Sequence, residues 1–96
     1  MKLPELQIAD LKAKFPIIQG GMAIRVSMAE LAAAVANEGG IGVIGASVMT
    51  PKELKSEIKK ARELSDGIIG VNIMFAASGF SELLKASVEA GIDCII

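Results

Sequence analysis

Short apolar runs alternate with amphipathic segments of helical spacing along most of this chain. The runs begin near residues 16, 41, 68 and 94, and a glycine lies shortly before each of the last three. Glycine readily ends a helix in the left-handed region before the chain turns into a strand. Strands that are apolar on both faces and separated by helices are typical of a parallel sheet. The pattern therefore predicts an α/β fold with four parallel strands and three intervening helices.

The first two helices have clear predicted starts. Ser27 and Glu30 form the pattern of a capping box, and Thr50 with Glu53 repeats it, with Pro51 at the first helical position. Helical spacing then predicts which side chains face the sheet. In the first helix these are Met28, Leu31, Ala32 and Val35, and in the second Leu54, Ile58, Ala61 and Leu64.

The third helix and a leading hairpin have weaker signals. The helix is predicted over residues 80–90, with Ser78 or Gly79 as its cap, and its predicted buried positions are Leu83, Leu84 and Val88. Before the first strand, two short alternating segments flank Ala9 and Asp10. This alternation suggests a small hairpin that covers the N-terminal end of the sheet.

The order of elements divides the chain into a leading hairpin, residues 1–15, and a βαβαβαβ segment, residues 16–96, of one domain. Residues 94–96 read as a buried strand with no helix after it. We therefore expect a truncated chain, the N-terminal half of a TIM (β/α)8 barrel, because complete barrels have about 250 residues. The alternative is a complete small domain with an open sheet.

A glycine pair at the end of the first predicted strand is the main candidate for a binding site. Gly20 and Gly21 lack Cβ atoms, so a ligand can approach their backbone N–H groups closely. Asn72 is the second candidate, since an amide in an apolar strand must find partners or cost about 1–3 kcal/mol. Each has a structural alternative: an ordinary turn for the glycines, and a hydrogen bond to a neighbouring strand for Asn72.

Other residues at the predicted strand ends are weaker candidates. Residues 45–47 follow the second strand, and Met22 and Met74 lie at strand exits, where they could line an apolar pocket together with Met49. Methionine more often fills gaps in a core. Met22 and Met74 stay candidates for a pocket wall, because both lie at strand exits.

Composition narrows the class of protein without naming its chemistry. The chain has 52% hydrophobic and 22% charged residues and a net charge of −1, which is typical of a soluble globular protein. It has neither the basic patch of a nucleic-acid-binding protein nor an apolar stretch long enough to cross a bilayer. We expect a cytoplasmic protein whose partner is a small molecule, with no nucleic acid and no membrane; its oligomeric state is open.

Catalytic and metal-binding side chains are scarce in this sequence. Histidine, the commonest general acid–base group and metal ligand, is absent. Cys94 is the only cysteine and lies in an apolar strand, so a buried, unreactive thiol is the expectation. We therefore assign no catalytic residue and no metal ligand within these 96 residues.

Three segments resemble the N-terminal part of the nitronate monooxygenase family, formerly called 2-nitropropane dioxygenases. They are PIIQGGM at 16–22, LAAAVANEGGIGVIG at 31–45 and GVNIM at 70–74. The FMN- and NADH-dependent enoyl-acyl-carrier-protein reductases look similar over the same stretch. The resemblance covers residues 4–96 and implies a TIM barrel with FMN at the C-terminal ends of its strands.

The resemblance also implies roles for particular residues. Backbone atoms of Gly20, Gly21 and Met22, with Ala23 as a further candidate, would contact the flavin ring, and Asn72 would hydrogen-bond it. The catalytic histidine and the phosphate-binding glycine loops of the family belong to positions beyond residue 96. We accordingly expect that the 96 residues alone neither retain FMN nor oxidise a nitronate.

Three functions stay open at this point. The resemblance implies an FMN-dependent oxidoreductase that oxidises alkyl nitronates with O2 and releases a carbonyl compound and nitrite. The alternative is NADH-dependent reduction of an enoyl thioester, which Gly21 slightly favours because other nitronate monooxygenases often have proline there. A second alternative is a non-catalytic half-barrel that binds a small molecule.

Overall fold

Three parallel strands with helices on one face form the main part of the fold in the computed structural model, which describes residues 3–96. The sheet has the order β3-β4-β5, and its first two strands run in register from Ile41 opposite Ile68 to Gly45 opposite Asn72. The α/β class with a parallel sheet is confirmed. In chain order the elements are β1 (Leu6–Ile8), β2 (Leu11–Ala13), α1 (Ala29–Asn37), β3 (Ile41–Gly45), α2 (Pro51–Leu64), β4 (Ile68–Asn72), α3 (Phe80–Glu89) and β5 (Cys94–Ile95).

The first of the four predicted strands is only a bridged segment at the edge of β3. Ile18 forms an isolated parallel bridge with Ile41. Two backbone hydrogen bonds accompany it, from Ile41 N to Ile17 O at 2.9 Å and from Gln19 N to Ile41 O at 3.0 Å. Regular pairing ends at Gln19 because the chain then leaves the edge of β3. The structure thus has three strands in this sheet where the sequence predicted four.

One face of the sheet packs on the helices. Ile44 of β3, Ile69 and Val71 of β4 and Ile73 just after it belong to the larger core cluster, together with Leu54 and Ile58 of α2 and Leu83 of α3. Side chains alternate across a strand, so the neighbours of these residues must point to the other face.

Helix α1 lies unusually close to the sheet because its buried side chains are small. A Cβ atom on Gly42 would lie 1.8 Å from the carbonyl oxygen of Ala32, so only glycine fits there. The predicted stripe is partly wrong: Leu31 is 37% exposed, and Met28 and Val35 are half-buried. The residues buried along α1 are Ala29, Ala32, Ala33 and Ala36.

The other two helices follow their predicted stripes near the centre and depart from them at the ends. Leu54, Ile58 and Ala61 of α2 are buried as predicted, but Leu64 is 49% exposed in the last turn. In α3, Leu83 is buried and Leu84 is half-buried, whereas Val88 is 66% exposed. Ala86 and Ser87 occupy the buried positions instead.

The second helix begins as predicted. Thr50 is its N-cap, the Thr50 hydroxyl accepts a hydrogen bond from Glu53 N at 3.1 Å, and Pro51 is the first helical residue. The Glu53 carboxylate pairs with Arg25 at 2.8 Å. Gly79, one of the two predicted caps of α3, is its N-cap with φ of 77°.

The predicted capping box of α1 is wrong. The helix begins at Ala29 with Met28 as its N-cap, and no side chain of the cap residue bonds the helix. Its free N-terminus is satisfied from the next helix, because the Glu57 carboxylate accepts a hydrogen bond from Ala29 N at 3.0 Å. The Ser27 hydroxyl instead bonds Met22 and Gly45.

The opposite face of the sheet is covered only at its N-terminal end. The antiparallel hairpin β1–β2 contributes Leu6 and Ala13 to a small cluster with Ile41, Val43 and their neighbours Ile68 and Cys94. The C-terminal end of the same face, which carries Gly45 and Asn72, lies beyond this cluster. Within residues 3–96, no helix has the length and apolar character required to cross a membrane.

Candidate functional site

Gly21 packs directly on Asn72 at the uncovered end of the sheet. A Cβ atom on Gly21 would lie 2.4 Å from Asn72 Cβ and 3.2 Å from Val43 Cγ1. The predicted site residues of the first and third apolar runs are therefore in contact. Their contact requires glycine at position 21, because any larger residue would push Asn72 or the turn aside.

Gly20 has open space around it. A Cβ atom built on this residue would have no neighbour within 4 Å. Neither Gly20 N nor Gly21 N donates a hydrogen bond to any residue in the described range 3–96. These two N–H groups are therefore available to a ligand, and their role in binding one stays a prediction.

Gln19 forms the connection between the glycine pair and β3. Its side-chain oxygen accepts from Val43 N at 2.9 Å, and its Nε2 donates to Val43 O at 3.0 Å and to Gly20 O at 2.6 Å. The carboxamide thus forms with Val43 the two hydrogen bonds that the backbone of a continuing parallel strand would otherwise form. In the sequence, the one sign of this role of Gln19 is its place as a polar residue at the end of an apolar run.

Ser27 closes the loop that follows the glycine pair. Its side chain is fully buried, and its hydroxyl accepts from Met22 N at 2.7 Å and donates to Met22 O at 3.2 Å. Gly45 N donates to both the hydroxyl at 3.1 Å and the carbonyl of Ser27 at 2.9 Å. One buried hydroxyl therefore joins the loop to the end of β3.

Met22 differs from the glycines in what it can offer a ligand. Its N–H and C=O are both bonded to Ser27, while its side chain is 42% exposed. Gly45 allows the loop to lie this close, because a Cβ atom there would be 2.7 Å from the Met22 carbonyl carbon and oxygen. Met22 can therefore contribute its thioether side chain to the site.

Asn72 is half-buried on the uncovered face. Its Nδ2 donates to Ile96 O at 3.2 Å, which is the structural alternative foreseen for this amide. The side-chain oxygen accepts no hydrogen bond from any residue among 3–96. Asn72 thus keeps its acceptor for a ligand, while one of its two N–H donors bonds Ile96.

An apolar cleft of about 540 Å³ adjoins this turn. Ser47 stands at its wall, where its hydroxyl accepts from Met74 N at 3.0 Å. Met74 is 62% exposed, whereas Met49 is buried, so the three methionines considered from the sequence are not equivalent. The cleft is lined by Ala23, Ile24, Ser47, Val48, Met49, Met74, Ala77 and Ser78.

Cys94 lies on the same face of the sheet but at its N-terminal end. Burial raises the pKa of its thiol, and the charge of Asp93 raises it further. The thiol packs near Gly70, where a Cβ atom would lie 2.8 Å from the sulfur. Cys94 is thus half-buried and protonated at neutral pH. No group of three or more metal-binding side chains occurs within residues 3–96.

The site fits a flat, largely apolar ring that carries polar atoms along its edge. Two backbone N–H groups and the Asn72 oxygen offer hydrogen bonds of both kinds, and the adjoining cleft is mainly apolar. Small-molecule sites commonly combine an apolar wall with a few placed polar groups. The flavin ring of FMN has this distribution of polar and apolar atoms, so the residues present suit it.

Known proteins are similar to this chain in sequence and in fold. A family model described as nitronate monooxygenase matches residues 5–90. A probable nitronate monooxygenase of Staphylococcus haemolyticus is 48% identical over 64 residues, and one of Staphylococcus aureus is 41% identical over 63. These alignments cover 67% and 66% of this chain but only 18% of each relative.

Solved structures of one protein are also similar. The structure of FabK from Thermotoga maritima superposes with a TM-score of 0.83 at 35% sequence identity. The match covers 86% of this chain and 26% of the FabK chain. A point mutant of the same FabK gives the same score and identity.

Proposed function

The chain belongs to the nitronate monooxygenase family, and we propose that the complete protein is an FMN-dependent oxidoreductase that oxidises alkyl nitronates with O2. Its compartment in this proposal is the cytoplasm, and these residues form the first part of its TIM barrel. The observation that carries the proposal is the contact of Gly21 with Asn72, at a turn whose Gly20 and Gly21 N–H groups have no acceptor within residues 3–96 and whose next residues begin an apolar cleft. Because the chain spans 18% of its curated relatives, the activity is proposed for the complete protein.

This part of the protein would bind and orient the cofactor. Gly20 and Gly21 would donate backbone hydrogen bonds to the polar edge of the flavin, and the Asn72 oxygen would accept one. The Met22 side chain would pack on the ring, since its backbone groups are bonded to Ser27. FMN, when bound, supplies the electron transfer between the organic substrate and oxygen.

Reduction of an enoyl thioester with NADH is the second candidate function. The observation that favours it is the contact between Gly21 and Asn72. A proline at position 21, as many nitronate monooxygenases have, would place its Cβ about where the 2.4 Å clash with Asn72 occurs. The backbone of this turn is therefore suited to glycine at position 21. Glycine at this position favours the reductases over the monooxygenases.

Anaerobic reduction of the bound flavin tests the proposal and separates the candidates. The full-length gene product is loaded with FMN, and its visible absorbance is followed after addition of an alkyl nitronate or of NADH. Bleaching by the nitronate alone, with nitrite released when oxygen is admitted, is the expected result. Rapid bleaching by NADH alone would favour the reductase. Bound FMN that neither reagent reduces would favour a non-catalytic binding protein, and absence of binding would overturn the proposal.

A further inference from the structure

The Gln19 side chain holds one peptide unit of the glycine turn in a single orientation. Its Nε2 donates to Gly20 O at 2.6 Å, and both ends of the carboxamide are fixed on Val43. The peptide that follows Gly20 is trans, as the cis bond of the described chain lies at Ala23–Ile24. In a trans peptide the C=O and the next N–H point in opposite directions. The Gly21 N–H therefore points away from the Gln19 carboxamide and the edge of β3.

We propose that Gln19 is a positioning residue for the cofactor: by fixing Gly20 O, it aims the Gly21 N–H at the ligand. This inference rests on the proposed function, because the ligand it invokes is FMN. A peptide between two glycines has little steric preference for either orientation. Gly21 N has no acceptor within residues 3–96, so the hydrogen bond from Gln19 to Gly20 O is the one that fixes this peptide among the described residues.

The expected loss of FMN affinity depends on the fraction of molecules in which the Gly20–Gly21 peptide keeps the orientation that binds FMN. Apparent affinity falls in proportion to that fraction. Gln19→Met removes the amide and leaves both orientations accessible, so we expect about a twofold weaker FMN complex. Gln19→Glu places a carboxylate oxygen near Gly20 O, which it repels, and attracts the Gly21 N–H of the reversed peptide. We expect FMN to bind at least about tenfold more weakly to that variant.

The experiment combines an FMN titration with NMR of the full-length gene product. Flavin fluorescence gives the dissociation constant for the parental protein and for both variants. The intensity of the nuclear Overhauser effect between the Gly20 Hα and Gly21 amide protons reports the orientation of the peptide without FMN. The matched control is Gln7→Glu, which removes a similar side-chain bond, from Gln7 Nε2 to Ala9 O at 3.0 Å, in the distant hairpin.

We expect FMN affinity to fall in Gln19→Met and to fall further in Gln19→Glu. The Gly20–Gly21 Overhauser intensity should change in both variants, and neither quantity should change in Gln7→Glu. Unchanged affinity and intensity in both Gln19 variants would overturn the inference and leave the proposed function standing. Absence of FMN binding by the parental protein would overturn the proposed function itself. If neither variant folds, the parental NMR data decide, because a Gly21 N–H directed toward Val43 would overturn the inference alone.

Discussion

Gly21 and Asn72 are in such close contact that a Cβ atom on the glycine would lie 2.4 Å from the Cβ of the asparagine. The adjacent Gly20 has no neighbour within 4 Å of its own Cβ position. The two glycines of the turn therefore serve different needs. Gly21 allows the turn to lie on the sheet, whereas Gly20 keeps the backbone open to a ligand.

Gly21→Ala should destabilise the fold, whereas Gly20→Ala should not. Alanine at position 21 must displace Asn72 or Val43, and overpacking of this kind costs about 1–3 kcal/mol. Alanine at position 20 meets open space, so its effect should stay within about 0.5 kcal/mol. Denaturant unfolding of both variants measures the difference. Equal stability of the two would contradict the assigned contact.

Ser27→Ala should loosen the loop that follows the glycines. Met22 N would lose its partner, and an unpaired backbone group costs about 1–3 kcal/mol when water cannot replace that partner. Hydrogen exchange of the Met22 amide should become faster, while Gly45 N keeps its bond to the Ser27 carbonyl.

Ser87→Ala is the matched control for the loop variant. Ser87 is also fully buried, but its hydroxyl bonds Leu83 O within α3 at 2.9 Å. The alanine variant should be close to neutral, because the carbonyl is part of the helix and alanine favours helix. A larger loss from Ser87→Ala than from Ser27→Ala would argue against the proposed importance of the loop closure.

Glu57→Ala should destabilise α1 although Glu57 belongs to α2. Its carboxylate accepts from Ala29 N at the start of α1, and loss of a capping acceptor costs about 0.5–2 kcal/mol. Glu57→Gln keeps an oxygen at this position and should lose less. Thermal unfolding of the two variants checks the order; equal losses would show that charge, and not the acceptor, is what matters.

Cys94 should react slowly with thiol reagents in the native protein. Burial and Asp93 raise its pKa, so less thiolate is present at neutral pH than in the unfolded chain. Since the unfolded thiol ionises first, the contribution of Cys94 to stability should be complete below the ordinary thiol pKa and decline as pH rises through the folded one. Cys94→Ser should reduce this alkaline loss of stability. A native reaction rate equal to that in denaturant would contradict the shift.

Local patterns predicted the fold where the relevant contacts are local. The Thr50 cap lies three residues from its partner Glu53, and alternating apolar runs placed β3 and β4 correctly. The Ser27 pattern failed because the Ser27 hydroxyl bonds Met22 and Gly45, while Glu57, 28 residues from Ala29, caps the helix. Long-range partners of this kind leave no periodic signal in the sequence.

The contact between two of the candidate site residues was predictable from the sequence, whereas their role in binding stays a prediction. Gly21 and Asn72 stood out because glycine and an amide are unusual at the ends of apolar strands, and both lie at the same end of the sheet. The role of Gln19 was missed, because the sequence does not distinguish a glutamine whose side chain replaces backbone hydrogen bonds from any other polar residue at the end of a strand. The sequence predicted a full first strand for the same reason. In the structure, the hydrogen bonds to Val43 that would continue this strand come from the Gln19 side chain and not from the backbone.

FMN titration of the full-length gene product and its Gly20→Ala variant tests the central claim most directly. The parental protein should quench flavin fluorescence with one FMN bound per chain. The variant should keep its unfolding midpoint but bind FMN at least about tenfold more weakly, because the added methyl group occupies the open space through which the ligand reaches the backbone. Equal affinity of the two proteins for FMN would contradict the assignment of this turn as the flavin site.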